Sequence, residues 1–150
     1  MRHGVLLAAV AVLVAAGACG DSSSDPVVPA GVMSSIEGFN EASTGYDTES
    51  MRTYLTEDFT WQSTGPVTPL DEFLAYVDRY WEASQFRYEA TGEPAIRLDG
   101  ETYVVEEPGL ATAVSEELVG TSVYRVVEVD GRWLIQEVRW IDGPTSGSTD

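Results

Sequence analysis

The chain has 150 residues, with 25 acidic side chains against eight basic ones, every one of them arginine, and a formal net charge of −17. Such an acidic excess excludes nucleic acid as a partner, because phosphates require cations, and disfavours broad contact with an anionic bilayer. The sequence holds one histidine, His3, and one cysteine, Cys19, so no internal cystine can brace the fold and the hydrophobic core must suffice.

The N-terminal segment joins a cationic start at Arg2 to 12 apolar residues from Val5 to Ala16 and a run of small residues up to Cys19. This is the layout of a secretion signal. The 15 residues from Gly4 to Ala18 fall short of the roughly 20 that a membrane-spanning helix needs. The stretch Ala16-Gly17-Ala18-Cys19-Gly20-Asp21 resembles a bacterial lipoprotein signal. The resemblance implies cleavage before Cys19, a diacylglyceryl group on its thiol, and a chain anchored on the extracytoplasmic face of the cell membrane. Cleavage without lipid, leaving a stray thiol, and a retained anchor are the alternatives. One acyl chain binds a membrane only marginally, whereas two hold firmly.

Loss of residues 1–18 removes His3 and leaves one domain's worth of chain. With Cys19 acylated, no imidazole and no free thiol remain. That excludes a Ser-His-Asp triad, a Cys-His pair and a His/Cys zinc site. No calcium-loop motif is present, and neither metal nor cofactor is expected. Carboxylates, tyrosines, arginines and hydroxyls are the chemistry left.

Residues 20–31 are polar and proline-bearing and read as a mobile spacer that follows Cys19. Val32, Ile36, Phe39, Ser43 and Tyr46 then recur at helical spacing, ended by Gly45 and Asp47. A second helix is predicted from Glu49 to Leu55, capped by Asp47 or Thr48. Phe59 and Trp61 alternate with Thr60 and Gln62 as a half-buried strand, broken at Gly65-Pro66. Thr68-Pro69-Leu70-Asp71 opens a capped helix whose apolar face is Leu70, Phe73, Leu74, Val77 and Trp81.

After Ser84 the pattern turns to strands. Phe86 to Leu98 reads as one strand bent at Gly92 and Pro94. Asp99-Gly100 marks a hairpin leading into Thr102–Val105. Leu110–Leu118, Thr121–Val129 and Arg132–Ile141 form a meander, and residues 143–150 read as a disordered tail. Helices followed by an antiparallel sheet make an α+β domain over residues 32–142.

Three stretches in this order resemble the nuclear transport factor 2-like (NTF2-like) superfamily, which includes the ketosteroid isomerase and SnoaL-like groups. They are Tyr46 to Trp61, with its acidic pair Glu57-Asp58; the turn and helix from Gly65 to Val77; and Val126 to Ile135, with Gly131-Arg132-Trp133. The resemblance implies a cone, with about three helices packed into a strongly curved, mainly antiparallel sheet of five to six strands. It also implies a pocket at the wide end. In ketosteroid isomerases a carboxylate acts as base and a tyrosine stabilises the oxyanion. Counted from the acidic pair, those positions fall here on Ser63 and Phe39. Neither residue can do the work, so no catalytic residue is assigned. An arginine-centred carboxylate set could draw on Arg79, Arg97, Arg125 or Arg139, and no spacing singles one out.

Phe39, Trp61, Ser63, Tyr76, Tyr80, Tyr88 and Arg139 are the candidates to line the pocket. Asp58 reads as a capping or solvated carboxylate, and the pairs Glu106-Glu107 and Glu116-Glu117 as solvent faces or strand edges. An inward-facing member of either pair would gain a raised pKa and a functional character. Trp133 and Trp140 read as core. The expected function is a membrane-anchored, non-catalytic domain that binds a small apolar ligand or a protein partner. The alternatives are a proton-transfer enzyme with relocated acids, such as Glu106, Glu116 or Glu137, and a structural homodimer of the envelope.

Overall fold

The computed structural model describes residues 27–143. The expected signal, Cys19, most of the expected spacer and the residues beyond Gly143 lie outside the described residues. Helix α1 (Ala30–Thr44) starts directly after Pro29, and Val28 packs against the core. The folded unit therefore takes in the end of the expected spacer. One face of α1 buries Val32, Ser35, Ile36, Phe39 and Ser43, the predicted stripe with Ser35 added. Ser35 Oγ donates to the Trp133 carbonyl and ties this helix to the sheet.

Helix α2 (Thr48–Arg52) is capped by Asp47, whose carboxylate accepts from the Ser50 N–H at 3.0 Å. It stops three residues short of the expected Leu55. Leu55 instead opens strand β1 (Leu55–Gln62), because Ile135 on the neighbouring strand donates to the Tyr54 carbonyl and draws the chain straight into the sheet. The two-residue strand β2 (Thr68–Pro69) pairs with β1, so Thr68 serves the sheet and gives the next helix no cap. That helix, α3 (Leu70–Tyr76), runs through a π-helical turn, Val77–Trp81, into α4 (Glu82–Ser84). Its predicted face, Leu70, Phe73, Leu74, Val77 and Trp81, is buried throughout. The wide turn closes where Phe86 N–H donates to the Trp81 carbonyl at 2.8 Å.

The remaining strands are β3 (Arg87–Ala90), β4 (Ala95–Asp99), β5 (Thr102–Ala113), β6 (Glu116–Val129) and β7 (Arg132–Asp142). Two predicted boundaries move. The strand expected from Phe86 to Leu98 is two strands, both paired with β5. The stretches Thr102–Val105 and Leu110–Leu118 are not separate: β5 is continuous, and Leu118 belongs to β6 beyond the hairpin at Val114-Ser115.

Pro108 accounts for both changes. Its carbonyl accepts from the Thr91 N–H at 2.9 Å, so its nitrogen, which has no proton, faces the β3–β4 side as well. A strand interior tolerates proline only where no ladder bond is required, and the neighbouring strand is interrupted opposite it.

The strand order is β2-β1-β7-β6-β5-β3, with β4 also on β5, which makes a sheet of seven strands. All neighbours are antiparallel except β1 and β7, which run parallel. The helices pack on the concave face. Phe73 is fully buried at the centre of the core. Its ring lies 5.3 Å from Phe59, 5.5 Å from Trp61, 5.7 Å from Trp81 and 6.5 Å from Phe39.

Candidate functional site

Strand register builds the site. Along β5 the residues at Val105, Glu107, Gly109 and Ala111 face inward. Their partners on β6 are Tyr124, Ser122, Gly120 and Leu118, and β7 continues these rows with Val138 opposite Tyr124 and Trp140 opposite Ser122. A cavity of about 100 Å³ lies between this grid and the helices. Phe39, Asn40 and Ser43 of α1 line one side, with Trp61, Phe73 and Trp81 across from the sheet. The lining is almost wholly apolar, and one polar cluster borders it.

That cluster is centred on Glu107, which is 6% exposed although the sequence suggests a solvent face. The correction follows from parity: β5 and β6 pair without a register shift, so Glu106 is turned out and Glu107 inward. The Tyr88 hydroxyl donates to Glu107 Oε1 at 2.8 Å, and the Tyr124 hydroxyl donates to Asn40 Oδ1 at 3.3 Å. Burial pushes the Glu107 carboxyl above the usual carboxylate range, opposed chiefly by the hydrogen bond from Tyr88. Burial likewise raises both phenols well above the usual tyrosine value, helped by the charge of Glu107.

The sign of the pH effect follows directly. Between the ordinary carboxylate pKa and the raised folded one, the native state holds more protons than the unfolded chain, so stability falls as pH rises through that window. Glu107→Gln keeps the shape and can still accept from Tyr88. It is expected to raise the melting temperature by roughly 3–6 °C at neutral pH, with the two proteins converging below about pH 4. Differential scanning calorimetry across pH would show this, and a gain that persists at low pH would contradict it.

Two glycines let aromatic rings of the cavity wall lie close to the sheet. Gly109 and Gly120 pair across β5 and β6. The Tyr88 ring lies over Gly109, and the Trp140 ring over Gly120, where any Cβ would collide with them. The two rings meet edge to face at 6.3 Å.

Of the predicted lining residues, Phe39, Trp61, Ser63 and Tyr88 meet at this cavity. Tyr76 and Tyr80 lie outside it, on a wider vestibule of about 730 Å³ that shares Trp61, Ser63, Trp81 and Phe86 with the cavity. Arg139 is not brought in. It alternates with the inward Val138 and Trp140, so it stands on the convex face, where its Nε meets Glu137 Oε1 at 2.7 Å. The same parity turns Glu106 and Glu137 away, and Glu116 reaches only the vestibule. Asp58 is exposed and accepts from Gln136 Nε2 at 2.9 Å. Sequence reasoning missed Asn40, Tyr124 and Ser122, and it placed Trp140 in the core. Counting alternate residues from Val105 would have found Glu107 and, across the hairpin, Ser122 and Tyr124. Among the described residues no group of His, Cys, Asp and Glu could hold a metal ion.

No family model matches the chain, and no curated protein matches it. Solved structures do. A protein of unknown function from Mycobacterium tuberculosis superposes with a TM-score of 0.65 at 17% identity, covering 77% of this chain and 72% of that one. An NTF2-like protein of unknown function from Shewanella oneidensis gives 0.59 at 21% identity, over 73% and 95% of the two chains. A structure described as a putative scytalone dehydratase, from Novosphingobium aromaticivorans, gives 0.61 at 13% identity, over 76% and 83%. The element order, the curved sheet and these neighbours define an NTF2-like fold. At such identities the likeness concerns the fold alone, and the fold hosts many functions.

Proposed function

We propose that this chain is an extracytoplasmic binding domain for a small apolar molecule, held to the cell membrane by a lipid on Cys19. The observation that carries the binding reading is the cavity: aromatic walls, one polar cluster at Glu107, and an opening shared with a larger vestibule. Small-molecule sites are built this way, with apolar walls for affinity and a few polar groups for orientation. The inner volume of about 100 Å³ is roughly three times the share of one liquid water and below the roughly 150 Å³ of a cavity that takes benzene. The inner part suits a short aliphatic group. The anchoring reading rests on the lone cysteine behind an apolar run.

A second reading, proton transfer, is favoured by one observation: a buried carboxyl with a raised pKa that accepts a tyrosine hydrogen bond at the cavity wall. Binding is preferred because the isomerase base and oxyanion positions carry Ser63 and Phe39.

The test uses the full chain bearing Cys19→Ser, which cannot be acylated and should leave the membrane fraction. Native mass spectrometry is expected to detect a co-purified small molecule, and short bromoalkanes, whose heavy atom quenches indole fluorescence, should quench the cavity tryptophans Trp61, Trp81 and Trp140. Ala111→Phe, which fills the cavity, should abolish both signals. Absence of any bound mass and of any quenching would sink the binding reading.

A further inference from the structure

The vestibule differs chemically from the cavity behind it. One wall is a ladder of aromatic rings: Trp61 stacks on Tyr76 at 5.7 Å and 27°, and Tyr76 meets Tyr80 at 4.9 Å. The outer two residues, Tyr76 and Tyr80, are 41% and 47% exposed, so part of each ring is accessible to a ligand. Lining residues also include two exposed carboxylates, Glu116 at the start of β6 and Asp142 at the end of β7. Among the described residues no arginine lines this depression, and the chain has no lysine. The nearby Arg79 guanidinium already sits 5.9 Å from the centroid of the Tyr80 ring, so a cation is held at this ladder within the protein itself.

We propose that the vestibule receives the positive head of an amphipathic organic cation, of the quaternary or tertiary ammonium class, whose short apolar tail enters the inner cavity. This deepens the binding reading above and rests on it. Aromatic faces carry a negative quadrupole and attract ammonium groups, best when the cation is weakly hydrated, as alkylated ammonium is. Two carboxylates in the lining add to that attraction, and a net charge of −17 raises the local concentration of cations around the mouth. An anionic head would face the carboxylates of Glu116 and Asp142. A neutral one would forgo both the ring faces and the carboxylates. Asp142 is held in place by Trp140, whose Nε1–H donates to its Oδ1 at 2.6 Å, so the rim carboxylate and a cavity wall are one assembly.

The experiment titrates the full chain bearing Cys19→Ser with pentyltrimethylammonium and with its neutral carbon isostere, 2,2-dimethylheptane, read by tryptophan fluorescence. The cation should bind about tenfold tighter at low salt, and this advantage should shrink at high salt. The double variant Glu116→Gln, Asp142→Asn should bring the two affinities together, since the amide oxygen of the new side chain would still offer an acceptor to Trp140. Equal or tighter binding of the alkane overturns the proposal and leaves the apolar cavity reading standing. Binding of neither compound overturns both.

Discussion

Phe73→Ala is expected to cost about 3–5 kcal/mol, a large part of the roughly 5–15 kcal/mol that holds a typical domain together. The side chain is fully buried and its ring touches Phe39, Phe59, Trp61 and Trp81, which come from α1, β1 and the π-helical turn. Truncation would leave a void that stiff rings from three separate elements cannot collapse to fill. It would also join that void to the existing cavity, which Phe73 helps to line. Urea unfolding followed by near-ultraviolet circular dichroism would measure the effect. Phe73→Leu, close in volume, should cost less than about 1.5 kcal/mol. Equal costs for the two variants would show that the aromatic cluster does not centre on this residue.

Gly109→Ala should cost about 1–3 kcal/mol, a large effect for a single added methyl. A Cβ at this position collides with the Tyr88 ring. The backbone cannot yield, because β5 is paired on both sides, so the ring must swing away. Glu107 then loses the hydroxyl that donates to it and is left as a buried carboxyl with poorer company. Ligand quenching should fall with stability. Adding Tyr88→Ala to Gly109→Ala should cost less than the sum of the single changes, since the added methyl then has room. Strict additivity would rule out the ring-over-glycine contact as the cause.

The helices are legible in the sequence because their buried faces repeat at helical spacing. Val32, Ile36 and Phe39 in α1 and Phe73, Val77 and Trp81 further on need nothing but that count. Leu55 escapes it because its fate depends on a partner strand 80 positions away in sequence, which local pattern does not contain. Pro108-Gly109 and Gly120 read as punctuation, yet each lies inside a strand. The proline sits where the neighbouring strand is interrupted, and the glycines make room for rings. The same misreading hides the site. With β5 cut into two pieces, its parity cannot be carried through Glu106-Glu107, and the acid that turns inward stays among the solvated ones. Arg139 is misplaced for a different reason: β7 shifts register against β6 between Ile135 and Glu137, so the alternation that buries Ile135 resumes at Val138 and sends Arg139 to the other face.

The parallel pairing of β1 with β7 has a kinetic consequence. The meander of β5, β6 and β7 closes through short hairpins, but the helical half and β1 meet the sheet only through contacts such as Leu55 with Ile135. Folding slows as the mean sequence separation of native contacts grows. β1 has no partner beyond the two-residue β2 until residues 132–142 have been made. A chain closed by so distant a pairing is expected to fold more slowly than a helical bundle of the same size.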